Sequence, residues 1–304
     1  MKQTFYSNGK LLITGEYTVL DGADAFALPT KYGQYLYVNE AETQLVKWTS
    51  FDADKSIWFE DTLSFSDIKA GKTESINPIT QTLVKILHTA NNMNPKTLSD
   101  SKGFDVTTEL TFPRHWGLGT SSTLINNIAQ WFAIDAFILL KNSFGGSGYD
   151  IACAQNNNPI IYNIGSQTPT VKSVNFNPEF SNNIYFVYLN QKQNSRSAIA
   201  AYNEKKNNIT TTVNQINSIT QKLLNTNNIE RFMELLDKHT AIMSDVLETP
   251  PVKEQLFSDY TGSVKSLGAW GGDFVLAVSK NSDTASYFKQ KGYPVVIQYK
   301  DMIL

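Results

Sequence analysis

The sequence of 304 residues contains little of what marks several classes of protein. Its single cysteine, Cys153, excludes an internal disulfide and is typical of a reducing compartment. The three histidines, His88, His115 and His239, are scattered without the spacing of a zinc site. The net charge of -2 argues against a nucleic-acid-binding surface, which carries a basic excess.

The chain also lacks a long apolar run. The most apolar segment, residues 128–140, is too short to span a bilayer and contains Gln130 and Asp135. The N-terminus lacks the apolar core of a signal peptide. We therefore expect a cytoplasmic protein, monomeric or homodimeric, that binds neither membrane nor nucleic acid. A hydrophobic content of 41% suits one large domain or two of ordinary size.

The most informative segment is residues 113–122, PRHWGLGTSS, which precedes an apolar helical pattern. Gly117 and Gly119 allow backbone conformations that other residues avoid. Hydroxyls and backbone N–H groups at 120–122 would open the helix, where an anion, most often phosphate, is stabilised. The segment is not a Walker loop, because the chain lacks the pattern G-x-x-x-x-G-K-[ST]. It is not a dinucleotide fingerprint either, because Ser122 stands where the third glycine is needed. A simple capped turn is the alternative.

The periodicity of apolar residues indicates a mixed protein. Strands and helices do not alternate regularly, which favours an α+β fold over a doubly wound sheet. The Asn-rich segment 175–183 is the best domain boundary. The pattern predicts helices near 77–91, 122–140, 149–155, 197–224, 229–247, 252–260 and 284–291. It predicts strands near 11–13, 35–38, 45–48, 56–59, 104–110, 184–189, 274–278 and 294–298.

Three further segments contain glycines at characteristic positions: residues 7–22 (SNGKLLITGEYTVLDG), 145–154 (GGSGYDIACA) and 265–273 (KSLGAWGGD). Together with the loop at 113–122, their order and spacing resemble the GHMP family of small-molecule kinases, which includes galactokinase, homoserine kinase, mevalonate kinase and phosphomevalonate kinase. We call residues 7–22 the first motif and residues 265–273 the third motif. The third motif is most similar to the G-A-G-G-G-D loop of phosphomevalonate kinases, with Trp270 in place of the central glycine.

The resemblance extends from about Gly9 to about Ala277 and implies a two-domain α+β fold. Residues 1–178 would form the nucleotide-binding domain, similar to ribosomal protein S5 domain 2. Residues 179–304 would form a ferredoxin-like C-terminal domain.

The resemblance further implies ATP and Mg²⁺ as cofactors. The phosphates would be held by Gly117, Leu118, Gly119, Thr120, Ser121 and Ser122. Ser121 would be the Mg²⁺ ligand, for which a helix N-cap is the alternative. Asp150, in the S-G-Y-D match, would accept the proton of the substrate hydroxyl and would also face the metal. The alternative role for Asp150 is that its carboxylate only caps a helix. Lys10 would lie near that aspartate and stabilise transition-state charge, rather than being merely solvated.

Relatives of this kind bind the acceptor with residues that match Glu16, Lys192, Ser195, Arg196, Gly271 and Gly272. Lys192 and Arg196 suit an anionic acceptor. The alternative is that these two residues belong to a solvated loop that binds no acceptor. Arg114 could add positive charge. The alternative for Trp270 is that it is an ordinary buried aromatic residue of a turn, without a role in the site.

One departure concerns the metal. Residues 123–149 contain no glutamate, whereas mevalonate kinases carry a metal-binding glutamate on this helix. The only acid there, Asp135, is expected to be exposed or to cap a helix.

The predicted function is transfer of the ATP γ-phosphate to a small anionic acceptor, with 5-phosphomevalonate as the preferred acceptor. Mevalonate, another small molecule or sugar, and diphosphomevalonate decarboxylation are alternatives. A non-catalytic ligand-binding relative is an alternative of another class, which the presence of both Lys10 and Asp150 disfavours.

Overall fold

The computed structural model describes residues 2–191 and 195–304, and the side chains of 195–197 are outside that description. The chain forms two compact units. Unit 1 contains Met1–Gly9, Tyr32–Arg114 and Leu118–Gln155, and unit 2 contains Lys10–Lys31, His115–Gly117 and Asn156–Leu304. The domain boundary after residue 178 stays a prediction, since these units are discontinuous in sequence.

The sheet of unit 1 has the strand order β4-β3-β5-β2, and β1 also pairs with β2. Strand β3 is parallel to β5 and antiparallel to β4, so Trp48 faces Val106 on one side and Asp61 on the other. Side chains of β3 alternate between buried and more exposed, as a half-buried sheet requires. The strands are β1 (Lys2–Thr14), β2 (Ala25–Glu40), β3 (Leu45–Phe51), β4 (Ile57–Ser64) and β5 (Phe104–Leu110).

Helices cover one apolar face in unit 1, where Trp131 packs edge-on against Phe104 with ring centroids 5.0 Å apart. The second helix begins as predicted, because the Asn77 side chain accepts a hydrogen bond from the N–H of Ile79 at 2.9 Å. The helices are α1 (Phe65–Ala70), α2 (Pro78–Met93), α3 (Lys96–Ser99), α4 (Thr120–Phe132), α5 (Ala136–Ser143) and α6 (Tyr149–Gln155).

The single helix predicted over 122–140 is wrong, because the chain forms α4 and α5 there. Ala133 adopts φ +51° and ends α4. Asp135 then caps α5 by accepting hydrogen bonds from the N–H groups of Phe137 (2.7 Å) and Ile138 (3.0 Å). Asp135 therefore caps a helix, which is one of the two positions that the sequence predicts for it.

Unit 2 contains a four-stranded antiparallel sheet in the order β11-β8-β10-β9, the arrangement expected of a ferredoxin-like fold. Strands β9 and β10 of this sheet are buried along their whole length. The first residues of β2 also lie in unit 2 and pair with β6, which pairs with β7. The strands are β6 (Ile160–Asn163), β7 (Thr170–Ser173), β8 (Ile184–Tyr188), β9 (Ser263–Leu267), β10 (Phe274–Val278) and β11 (Val296–Gln298).

The helices of unit 2 follow the predictions in part. The helix predicted over 252–260 ends at Leu256, and residues Tyr299–Met302 form a helix that the pattern did not predict. The helix predicted over 197–224 is interrupted at Asn208, which adopts φ +45° and precedes a new helix. Among the described residues, no helix is both long and apolar enough to cross a bilayer. The helices are α7 (Ser195–Lys205), α8 (Ile209–Leu224), α9 (Ile229–Leu247), α10 (Val252–Leu256), α11 (Thr284–Gln290) and α12 (Tyr299–Met302).

Candidate active site

The loop that the sequence marks as a phosphate site ends on the N-terminus of α4. Gly117 and Gly119 adopt φ +66° and +97°, in the left-handed region that favours glycine. Gly119 is the N-cap residue, and no side chain in the described part of the chain caps the helix. The first N–H groups of α4 therefore lack side-chain acceptors, and the positive end of the helix dipole adds to their affinity for an anion.

The hydroxyls of this first turn have different environments. Ser122 is buried and donates to the carbonyl of Gly119 at 2.8 Å, while Thr123 donates to Gln34 Oε1 at 2.8 Å. Ser121 is exposed. Since Gly119 is the N-cap, Ser121 does not have the capping role, and its hydroxyl faces solvent.

Asp150 lies in the first turn of α6, also in unit 1. Its side chain is partly buried, and its Oδ1 atom is shielded from solvent. Helix α6 packs against α4, where Gln155 Nε2 donates to Asn126 Oδ1 at 3.0 Å. Helix α6, which contains the predicted base, thus packs against α4, the helix that follows the phosphate loop.

In unit 2, Lys10 is bonded to the beginning of the glycine loop. Its Nζ donates to the carbonyl oxygen of Gly117 at 3.1 Å. The other side of Gly117 faces the carboxylate of Asp273, and a methyl group at Gly117 would overlap that carboxylate. The first and third motifs therefore meet at Gly117, and Lys10 is more than a solvated surface residue.

Asp273 is a residue of the candidate site that the sequence reasoning did not assign, although it ends the third motif. Its backbone has φ +33°, and its N–H donates to the carbonyl of Gln191 at 2.9 Å. Its carbonyl accepts from the N–H of Leu189 at 2.7 Å. Burial, and secondarily the charge of Asp273, raise the pKa of Tyr188.

Three aromatic rings hold the segment before Gly117. Trp116 packs edge-on against Phe274 at 5.5 Å and lies 6.2 Å from Tyr188. The Tyr188 hydroxyl donates to the carbonyl of His115 at 3.2 Å. Residues 115–117 are therefore fixed on strands β8 and β10.

The third motif forms a glycine loop after β9. Gly268 and Gly271 adopt φ +75° and +76° and have open space around them. The N–H of Trp270 donates to the Tyr17 hydroxyl at 2.8 Å, and the N–H of Gly271 donates to Ser266 Oγ at 3.3 Å. The Trp270 ring packs against an apolar cluster, which agrees with the alternative of a turn aromatic.

Glu16, which the resemblance assigns to the acceptor, is buried in unit 2. Its Oε1 atom accepts a hydrogen bond from Lys265 Nζ, and the lysine is only 1% exposed. Burial raises the pKa of Glu16 and lowers the pKa of Lys265, while each partner's charge acts in the opposite direction.

His239 lies on the other side of this carboxylate. Its Nε2 atom is 3.3 Å from Glu16 Oε2 and accepts a hydrogen bond from the N–H of Gly15, also at 3.3 Å. Burial, and then the charge of Lys265, lower the pKa of His239 well below 6.5. The imidazole is therefore neutral near pH 7.

The predicted acceptor residues are described only in part. Lys192 lies outside the described residues, and so do the side chains of Ser195 and Arg196, which open α7. Arg114 is 3.7 Å from Asp52 Oδ2 and lies over the ring of Trp58, so an acid already balances its charge.

No family model matches the sequence, and no curated protein matches it by sequence. Solved structures do match. The mevalonate kinase of Methanococcus jannaschii is 15% identical with a TM-score of 0.69, and 98% of each chain is covered. The phosphomevalonate kinase of Streptococcus pneumoniae, in complex with phosphomevalonate and AMPPNP, is 14% identical with a TM-score of 0.72, over 97% of this chain and 99% of that one.

The galactokinase of Lactococcus lactis, in complex with galactose, is 15% identical with a TM-score of 0.68, over 98% of this chain and 93% of that one. The chain has the GHMP kinase fold. At this level of identity the likeness establishes the fold and leaves the reaction and the acceptor to be argued from the site.

Proposed function

We propose that this chain with the GHMP kinase fold is an ATP-dependent small-molecule kinase. The observation that carries the proposal is the uncapped N-terminus of α4, entered through Gly117 and Gly119 in left-handed conformations, with Lys10 bonded to the Gly117 carbonyl. Backbone amides and a helix dipole bind phosphate oxygens without discriminating the rest of the ligand, and phosphoryl transfer needs such positioning above all. Leu118, Thr120, Ser121 and Ser122 complete the phosphate loop.

In this proposal Asp150 accepts the proton of the acceptor hydroxyl while the hydroxyl oxygen forms a bond to the γ-phosphorus. The bond from that phosphorus to the β–γ bridging oxygen breaks, and ADP leaves with the electron pair. Lys10 offsets negative charge that develops in the transition state. Because Lys10 is held by Gly117, its charge is positioned before ATP binds.

The residues present fit a magnesium ion that arrives with the nucleotide. Among the described residues, no group of three or more His, Cys, Asp or Glu is placed to hold a metal. The exposed hydroxyl of Ser121 and the carboxylate of Asp150 would supply protein oxygens, and the nucleotide would supply the remainder. When bound, the ion would neutralise phosphate charge.

For the acceptor we propose a small anionic alcohol or phosphate, with 5-phosphomevalonate preferred and mevalonate second. Lys192 and Arg196 support this choice by their charge, and the third motif supports it by its similarity to phosphomevalonate kinases. Ser195, Gly271 and Gly272 would add hydrogen-bond donors to the same acceptor.

A neutral polyhydroxy acceptor is the second candidate, and a specific observation favours it. Two cations of the described part are already paired, Arg114 with Asp52 and Lys265 with Glu16, while Asp273 adds negative charge beside Gly117. A carboxylate accepts hydrogen bonds from sugar hydroxyls but repels a phosphate.

Purified protein assayed with ATP and Mg²⁺ against mevalonate, 5-phosphomevalonate, galactose and sugar phosphates tests both proposals. ADP formation that depends on one acceptor supports the kinase, and the ratio of kcat/KM values identifies the acceptor. Absence of acceptor-dependent ADP formation across the panel, together with absence of ATP binding by calorimetry, would overturn the kinase assignment.

A further inference from the structure

A buried pair of opposite charges connects the first and third motifs inside unit 2. Glu16 belongs to the turn that follows β1, and Lys265 belongs to β9, immediately before the third-motif loop. Lys265 Nζ donates to Glu16 Oε1 and also to the carbonyl of Ser266 at 3.1 Å. Removing such ions from water is costly, and an apolar pair of similar volume is often as stable. The pair therefore calls for an explanation beyond stability.

The same two segments are connected at a second point. The N–H of Trp270 donates to the hydroxyl of Tyr17, the residue after Glu16. Tyr17 adopts φ +60° without being glycine, a conformation that persists only where surrounding contacts impose it. Its ring stacks on Tyr202 at 5.5 Å. The turn is thus joined to β9 by one ionic contact and to the loop that follows β9 by one neutral contact.

The turn itself has little freedom to move. Gly15 adopts φ +92° against the backbone of Asp24 and Ala25, and its N–H donates to the buried His239. The loop, by contrast, has glycines in open space at 268 and 271. Contacts to the turn therefore help to fix the loop, since the loop's own glycines leave its backbone free. They act together with the hydrogen bond from Gly271 N–H to Ser266 Oγ and with the one from Trp270 Nε1 to the carbonyl of Pro250 at 3.2 Å.

The loop ends at Asp273, whose carboxylate lies against Gly117, and Gly117 in turn binds Lys10. A shift of the loop would therefore move the carboxylate that faces the beginning of the phosphate segment. A misplacement of about 1 Å can cost an enzyme on the order of 10²-fold in rate.

We propose that Glu16 and Lys265 are positioning residues, which hold the loop at 268–273 in its working geometry through their buried ion pair and the adjacent Tyr17–Trp270 contact. Glu16 would then act on the acceptor through this loop rather than by touching it. The kinetic part of this inference rests on the proposed kinase function, whereas its structural part does not.

The test is the double variant Glu16→Gln/Lys265→Met, in which both charges are removed and neither is left buried alone. Hydrogen exchange of the amides at 270–272, thermal stability, and kcat and KM for ATP and acceptor are measured together. Each single variant should lower the Tm, and the double variant should recover much of the loss. We expect the loop amides to exchange about tenfold faster or more in the double variant. We also expect kcat to fall by roughly 10–100-fold with little change in the KM for ATP.

The matched control is Thr14→Val/Thr220→Val, which removes another buried polar pair of unit 2, joined at 2.7 Å between β1 and α8. It should lower stability without changing exchange at 270–272. Wild-type exchange and kcat in the Glu16/Lys265 double variant would show that the pair is structural only and would overturn the inference.

Should the double variant fail to fold, Tyr17→Phe decides by the same measurement. It removes the acceptor of the Trp270 N–H, and unchanged exchange at that amide would contradict the inference. If the wild-type protein transfers phosphate to no acceptor, the proposed function fails, while the exchange experiment still decides the positioning role.

Discussion

Replacing His239 by glutamine should make the free energy of unfolding less dependent on pH in the acid range. The neutral imidazole accepts a hydrogen bond from the N–H of Gly15 at 3.3 Å and is fully buried beside Lys265. Protonation would remove that acceptor and place a second positive charge near the lysine. The folded-state pKa of His239 is accordingly depressed well below the ordinary value of 6.5.

The sign of the effect follows from that depression. In the unfolded chain the histidine binds a proton as the pH falls below 6.5, whereas the folded chain does not until the pH reaches its lower pKa. The stability contributed by the neutral histidine is therefore complete above 6.5 and is lost as the pH falls. The loss is about 1.4 kcal/mol for each pH unit between those two pKa values. A total stability of roughly 5–15 kcal/mol makes such a loss measurable.

The assay is urea denaturation of the wild-type and His239→Gln proteins at about pH 8, 6.5 and 5.5, comparing slopes against pH. Groups remote from the substitution contribute equally to both proteins, so the difference between the slopes reports His239 together with Glu16, whose carboxylate lies 3.3 Å away. Glutamine offers an oxygen that can accept the Gly15 N–H. His115→Gln, which makes the same substitution at an exposed histidine, is the matched control. Equal slopes for wild type and His239→Gln would refute the reasoning.

Four further predictions concern the candidate site. Asp150→Asn should lower turnover by roughly 10²–10⁴-fold with modest change in ATP affinity, and steady-state kinetics at wild-type level would assign the carboxylate a capping role. Gly119→Val should abolish ATP binding in calorimetry, whereas Gly292→Val, at a similar φ of +90° with open space, should not. Arg196→Ala should raise the KM for a phosphorylated acceptor more than for a neutral alcohol, and equal effects would indicate a solvated residue. Gly117→Ala should lower the Tm by overlap with Asp273, and Gly117→Ala/Asp273→Ala should recover part of the loss; no recovery would place the strain in the backbone alone.

Local signals in the sequence were sufficient for most of the secondary structure. Asn77 before a proline predicted the beginning of α2, and the apolar periodicity of 229–247 predicted α9 with its observed bounds. These features depend on residues within one or two turns of each other, which a sequence displays directly. The sequence did not predict the helix breaks at Ala133 and Asn208, because neither residue is a glycine or proline, although each adopts a positive φ.

The motifs likewise predicted the fold and the candidate catalytic residues. Glycines at fixed spacing, and a lysine or an aspartate inside the same motif, are visible in a sequence without coordinates. The solved structures confirm the fold at 13–15% identity. The identity of the acceptor could not be predicted from the sequence, because it depends on side chains that converge from distant segments.

Tertiary structure alone decided which charges are compensated. Glu16 and Lys265 are 249 positions apart, yet the lysine is buried against the carboxylate, and His239 lies against the same group. In the sequence, His239 is one of three scattered histidines and Lys265 has no evident role. The cost or benefit of a charge depends on burial and on partners, which are properties of the folded chain. The carboxylate of Asp273 against Gly117 is of the same kind: the motif displays the aspartate, and only the fold shows what it faces.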